Sequence, residues 1–391
     1  MASIADTGPR LTLQERDRRY AAIRTRLRER GVDAVLVQDS NLFYLSNGLP
    51  GERFGVFPAR DEPLMVQLNG RHLTDISPDV LVAAQDWVQD IRAANDASPM
   101  IARLRELRLE NGTIGLTRSQ AHHGGMSHGL FAALQTALPS ARFVDVSDIF
   151  EDERTCKSDE EVALIERANL VFDRAVERVY QVARPGMTGK QIVQEGIRAM
   201  WEAGGDLDST FGLTFGKVAR QNPITAELSL ERALSEGDIA TMTAHSEYRH
   251  YAGHSDQEIA IGEPKPLHRD MFAAVLHVRE KVLQAVRPGV TQNDVIGVYR
   301  RACDETGFRW SVHSQIHQYG IDVPEFPGPG FNADGARNFT LKPGMIYSVS
   351  PTVVAPEGAE DTVLGGTCLV VTENGYRELG DRKVEMLVVK G

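Results

Sequence analysis

The chain has 391 residues, 42% of them hydrophobic and 25% charged, an ordinary globular balance with enough apolar material for two or three domains. Its 43 basic and 54 acidic side chains leave a net charge of −11, and no run of five basic residues occurs, so binding to nucleic acid or anionic membrane through bulk charge is excluded. No stretch nears the ~18 consecutive apolar residues of a membrane helix, and MASIADTGPR has no apolar signal core. Cys156, Cys303 and Cys368 are far apart with no CxxC pair. Reduced thiols in a cytoplasmic protein are therefore expected, not disulfides or a zinc ribbon.

The first element is an amphipathic helix over residues 14–31, stopped at Gly31. An apolar run, Val32–Val37, follows, and then a second run over Asn41–Ser46. Residues 97–110 read as a helix, 113–117 (TIGLT) as a strand, 127–137 as a helix and 141–146 as a strand. The pair His122-His123 beside Gly124-Gly125 reads as an exposed turn. Helix alternating with apolar strand predicts an α/β domain over 1–155. The polar segment Asp148–Ser158 marks the boundary, and 156–391 forms the second domain.

The second domain opens on a long helix over Asp159–Ala183. Its apolar positions Val162, Ile165, Ala168, Phe172, Ala175 and Val179 share one face. It ends at Arg184-Pro185-Gly186. ARPGMTGKQIV at 183–193 is echoed by VRPGVTQNDVI at 286–296, an offset of 288 − 185 = 103 residues between the prolines. Each copy follows an apolar-periodic helix, and each threonine, Thr188 and Thr291, is placed to cap the next. The repeat predicts two similar α+β units packed as a pseudo-dimer. Strand-like runs at 238–242, 258–261, 345–349 and 369–371 favour an antiparallel sheet flanked by helices.

Five of the eleven histidines fall in two windows. The first holds His245, His250 and His254, with Thr243, Asp256 and Glu258 beside them. The second holds His313 and His317. Histidine suits proton transfer near neutral pH. On strands, Thr243 would share a face with His245, and His250 with His254. His268 and His277 sit in a helical pattern and read as structural.

The segments around these residues resemble the creatinase/aminopeptidase P (M24, pita-bread) superfamily. GDIATMTAHSEYRHYAGHSDQEIAIGEP (237–264) is similar to its strand hairpin, and HQYGIDVPEFP (317–327) to its histidine-glycine loop. LKPGMIYSVSP (341–351) and GGTCLVVTENG (365–375) resemble the stretches that normally carry two glutamates. KSDEEVALIERA (157–168) resembles the start of the second domain. The resemblance spans nearly the whole chain. It implies a creatinase-type N-terminal α/β domain followed by an α+β pita-bread domain, pseudo-two-fold, with an antiparallel sheet flanked by helices.

Metal-binding members hold two divalent ions with two Asp, one His and two Glu. With Tyr248 and Tyr251 as anchors, those positions fall on Thr243, His254, His317, Ser350 and Gly366, so four of five are replaced. Metal-free creatinase is matched in part: Gln221 stands where it has a catalytic histidine, and Asp256 where it has a guanidinium-binding Glu. The resemblance thus implies a metal-independent hydrolase of a C–N bond in a small substrate bearing a carboxylate and a cationic nitrogen. His317, His254 and Asp256 would be catalytic. Thr243, His245, Ser350, Glu325, Gln221, His313 and Arg53 would bind substrate, with Arg53 reaching across a homodimer into the partner's pocket. No cofactor is expected. The alternatives are a zinc or other divalent ion on His245, His254, His317 and Asp256, elimination in place of hydrolysis, and a non-catalytic binding module.

Overall fold

The computed structural model describes residues 8–49, 51–70, 78–117, 126–215, 230–310, 317–323, 325, 338–356 and 362–390. Two compact units emerge: Leu11–Thr155, and Cys156–Gly391 with the residues up to Arg10.

The N-terminal unit begins with α1 (Leu13–Glu29), where the Thr12 hydroxyl accepts from the Glu15 amide and satisfies one of the free N–H groups of the first turn. The helix buries Tyr20, Ile23 and Leu27 on one side. Strands β1 (Ala34–Val37), β2 (Glu52–Pro58), β3 (Met65–Leu68), β4 (Asp90–Ala93), β5 (Thr113–Leu116) and β6 (Arg142–Asp145) form one sheet in the order β4-β3-β2-β1-β5-β6. β5 runs parallel to both β1 and β6, while β2 is antiparallel to its neighbours. Between strands lie α2 (Asp39–Ser46), α3 (Pro78–Ala84), α4 (Ser98–Glu106) and α5 (His128–Ala137). The second apolar run is therefore the helix α2.

The polar boundary segment is also largely helical, as α6 (Ser147–Thr155). Its charges are the reason. Asp148, Asp152 and Glu153 pair with Arg30, Arg26 and Arg18 of α1, so a segment too polar for the core packs through complementary charge. Arg53 sits at a register shift between Glu52 and Phe54 in β2 and is exposed.

The C-terminal unit shows the repeat as hydrogen bonding. α7 (Asp159–Val182) starts with a capping box of Ser158 and Glu161. α8 (Gly189–Glu202) and α10 (Gln292–Asp304) start with capping boxes on Thr188 and Thr291. α9 (Pro266–Ala285) takes in the second copy the place of α7 in the first. Gly186 and Gly189 donate to the carbonyls of Leu234 and Arg232, and Gly289 and Gln292 to those of Leu341 and Phe339. The matched pattern at the 103-residue offset makes these two copies of one α-hairpin.

Each hairpin has its own core. Val171, Phe172, Ala175 and Val179 of α7 pack with Ile192 and Met200 of α8 onto Phe211, Leu213 and Met242. Met271, Val275, Val278 and Val282 of α9 pack with Val295 and Tyr299 of α10 onto Tyr347, Val349 and Leu369. Each such aliphatic or aromatic side chain contributes about 1.5–3 kcal/mol on burial.

The strands are β7 (Thr210–Phe215), β8 (Ile239–Tyr248), β9 (Tyr251–Ile261), β10 (Arg309–Trp310), β11 (His317–Gln318), β12 (Ile346–Val349), β13 (Thr352–Val354), β14 (Thr362–Leu364), β15 (Thr367–Thr372), β16 (Gly375–Leu379) and β17 (Leu387–Val389). They form sheets ordered β17-β9-β8-β7, β11-β12-β15-β16 and β10-β13-β14. Among the described residues, every pairing of these strands is antiparallel except β17 with β9.

Candidate active site

The β8–β9 hairpin places its polar residues by register. Thr243 lies opposite Asp256, and His245 opposite His254. The burial of β8 alternates from Thr243 onward, so Thr243, His245 and Glu247 share the more open face. His250 is not on a strand. It sits with Arg249 in the turn between β8 and β9, both at positive φ (62° and 51°), with the His250 amide donating to Asp206 Oδ2 at 2.6 Å. The expected shared face of His250 and His254 is lost because the hairpin reverses there.

Asp256 is 3% exposed, and its carboxylate is the hub of the pocket. Thr243 Oγ1 donates to Oδ1 at 2.6 Å, and Ser350 Oγ donates to Oδ2 at 2.8 Å. The Ser348 and Ser350 hydroxyls are 2.9 Å apart. A hydroxyl has one proton, and that of Ser350 is committed to Asp256, so Ser348 donates to Ser350. The Tyr319 phenol meets the Ser348 hydroxyl, and burial, with the Asp256 charge second, holds it protonated well above its usual range.

His254 completes the group. Its Nδ1 lies 3.0 Å from the Ala244 carbonyl, which can only accept, so Nδ1 carries the proton. Nε2 is then the basic nitrogen of the neutral ring, and it lies 3.6 Å from Asp256 Oδ2. The ring stacks on Tyr319, with centroids 5.0 Å apart and planes 12° apart, and lies 4.8 Å from the His245 ring. Cys368, opposite Ser348 on β15, has its thiol pushed up to about 12 by burial, too high for a nucleophile at neutral pH.

These residues do not fit the dinuclear metal centre of the resembled family. At two of the positions that the resemblance assigns to its ligands, Thr243 and Ser350 carry hydroxyls, and both donate to Asp256. At the fifth position a Cβ on Gly366 would lie 2.2 Å from Ser350 Oγ and 2.8 Å from Asp256 Oδ2, so the space for a glutamate side chain is filled. Among the described residues, the group of His, Asp and Glu atoms close enough to share an ion is Asp206, Glu247 and His250, at the hairpin turn and not in the pocket. There, burial first and the charges of Asp206 and Asp208 next raise Glu247 to about 7.

The other expected residues are distributed as follows. Glu325 is 3% exposed and forms an ion pair with Lys157, also buried. His317 pairs with Ser348 through its backbone on β11; its side chain, His313, Gln221 and the pair His122-His123 lie outside the described residues. Arg53 belongs to the N-terminal unit. Sequence reasoning missed Ser348, Tyr319, Lys157 and Arg382. The Arg382 guanidinium bonds Asp173 Oδ1, Gln257 Oε1 and, at 2.8 Å, the Gly366 carbonyl behind the pocket. The alternation Ser348–Val349–Ser350 on a strand was a readable signal for Ser348; for Arg382, in the chain's last polar stretch, there was none.

Comparison with known proteins agrees with this architecture. The profile of metallopeptidase family M24 matches residues 163–373, and that of the creatinase/prolidase N-terminal domain matches 19–156. A creatinase from Bacillus sp. (strain B-0618) is 24% identical over 393 residues, covering 95% of this chain and 92% of its own. An Xaa-Pro dipeptidase from Lactobacillus delbrueckii subsp. lactis is 23% identical, covering 93% and 96%. The solved Xaa-Pro dipeptidase from Bacillus anthracis superposes with a TM-score of 0.79 at 20% identity, over 95% of this chain and 99% of that one. The chain therefore belongs to metallopeptidase family M24, in the creatinase/aminopeptidase P superfamily, with the pita-bread fold and a creatinase-type N-terminal domain.

Proposed function

We propose that the protein is a metal-independent hydrolase that cleaves a C–N bond in a small polar substrate carrying a carboxylate and a cationic nitrogen. The observation that carries this reading is the Asp256 carboxylate, oriented by the Thr243 and Ser350 hydroxyls with His254 Nε2 3.6 Å away. The carboxylate suits a cationic substrate nitrogen, and Nε2 beside it is left to accept a proton from water. In the reaction, His254 Nε2 takes a proton from water as the oxygen bonds the substrate carbon. Asp256 stabilises the imidazolium so formed. The proton then passes to the nitrogen as the C–N bond breaks, and the neutral ring is restored.

The relatives include both a creatinase and Xaa-Pro dipeptidases, so the test separates the two substrate classes. Guanidino and ureido acids are incubated with the protein in EDTA beside a panel of Xaa-Pro dipeptides, and amine release is followed. Turnover of a non-peptide substrate in EDTA, lost in His254→Asn, is the expected result. Cleavage of Xaa-Pro dipeptides only after addition of Mn2+ or Zn2+ would overturn the proposal.

A further inference from the structure

The loop that leaves β11 is closed at its neck by main-chain pairing. The Glu325 amide donates to the Gln318 carbonyl at 2.9 Å, and the two residues form a bridge. Lys157, just before α7, reaches this neck from outside the loop. Its Nζ forms the ion pair with Glu325 Oε2 and lies 3.4 Å from Gln318 Oε1. The side chains of Lys157 and Glu325 are 2% and 3% exposed, and Gln318 is fully buried.

Two further contacts fix this arrangement. Lys157 itself is held by its amide on the Gly344 carbonyl at 2.9 Å, just before β12. Inside the loop, a Cβ on Gly320 would lie 2.0 Å from Glu325 Oε2, so glycine is what lets the carboxylate turn inward. The Gly320 carbonyl in turn accepts from the Ala252 amide of β9 at 2.8 Å. Between neck and tip stands Tyr319, the ring that stacks on His254.

We propose that Lys157 and Glu325 are positioning residues: their buried ion pair holds the loop neck so that Tyr319 lies flat on His254 and β11 keeps His317 beside Ser348. The importance of that geometry rests on the pocket reading given above. An ion pair taken wholly out of water is seldom worth its desolvation for stability alone, and its apolar or neutral replacement is often no less stable. What such a pair supplies is direction, because it is satisfied in one arrangement of the loop. The unpaired alternatives each leave a buried charge.

The test needs no substrate. The imidazole proton signals of His254 are assigned by NMR with His254→Asn, and the Tyr319→Leu variant gives their position without the stacked ring. Lys157→Met alone leaves the Glu325 charge buried and is expected to lose stability, so the informative variant is Lys157→Met/Glu325→Gln, which removes both charges at similar volume. This double variant is expected to melt close to the wild type. Its His254 signals are expected to move at least half of the way to their Tyr319→Leu position, while the His277 signals stay. Unmoved His254 signals in a folded double variant would overturn the proposal. Failure of the double variant to fold would also overturn it, by making the pair a requirement of the fold.

Discussion

The hydroxyl pair on Asp256 allows a quantitative test of how the pocket is held together. Thr243→Val and Ser350→Ala each delete one donor to a carboxylate that is 3% exposed. Hydrogen bonds to a charged group are worth about 1.5–3 kcal/mol, and the bonds here are 2.6 and 2.8 Å long. Each variant should therefore lose about 2 kcal/mol in urea denaturation at pH 7 with an unchanged m value. Asp256→Asn supplies the control. An asparagine keeps the shape and one acceptor oxygen, but the bonds it makes are neutral and worth about 1 kcal/mol. In that background each hydroxyl deletion should cost about 1 kcal/mol less than in the wild type, a coupling within the range measured for residues in contact. Strict additivity, with the same loss in both backgrounds, would refute the account, because the hydroxyls would then be stabilising something other than the Asp256 charge.

Gly366→Ala should cost about 1–3 kcal/mol by overpacking, since its Cβ meets Ser350 Oγ and Asp256 Oδ2; in a Ser350→Gly background the same substitution should cost less in thermal melts, but not nothing, because the approach to Asp256 remains. Glu52, bonded to the Ser46 hydroxyl at 2.6 Å, is raised from 4.5 to about 7 by burial. The folded state thus keeps a proton that the unfolded chain releases between those values, and stability falls as pH rises through that window. Glu52→Gln should accordingly be near neutral at pH 4.5 and stabilising at pH 8, by at most about 3.5 kcal/mol at ~1.4 kcal/mol per unit; equal effects at both pH values in denaturant titrations would contradict this. Thr188→Ala and Thr291→Ala should each cost about 1 kcal/mol as lost helix caps, and Thr188→Ser should restore the first; a loss confined to one site would deny the equivalence of the two hairpins.

The sequence was most informative where its periodicity was strong. The apolar stripe of α7 and the paired threonine caps led directly to two packed hairpins, because a 3.6-residue period and a capping box are local signals. The short run at Asn41–Ser46 was less decisive, since six apolar and polar residues without a period suit helix or strand. The segment around α6 read as a polar domain boundary because its partner is the basic face of α1, 118 residues away at the Arg30–Asp148 pair, and pairing over that distance leaves no local pattern. In the pocket, the register of one hairpin brought Thr243, His245, His254 and Asp256 together as strand alternation implies. The role of Glu325 was not readable. Its carboxylate faces inward to Lys157, and a polar residue in a Gly/Pro-rich loop normally faces solvent.

The central claim is that hydroxyls directed at Asp256 stand where the family's metal ligands would be. Its most direct test is the metal content of the purified protein by plasma mass spectrometry, together with melting temperature in EDTA and in excess Mn2+ or Zn2+. The account predicts far less than one equivalent of any transition metal and a melting temperature that neither chelator nor added ion moves, since an ion bound to the folded state alone must stabilise it. One or two ions per chain, with a melting temperature that falls in EDTA and returns on reconstitution, would contradict it.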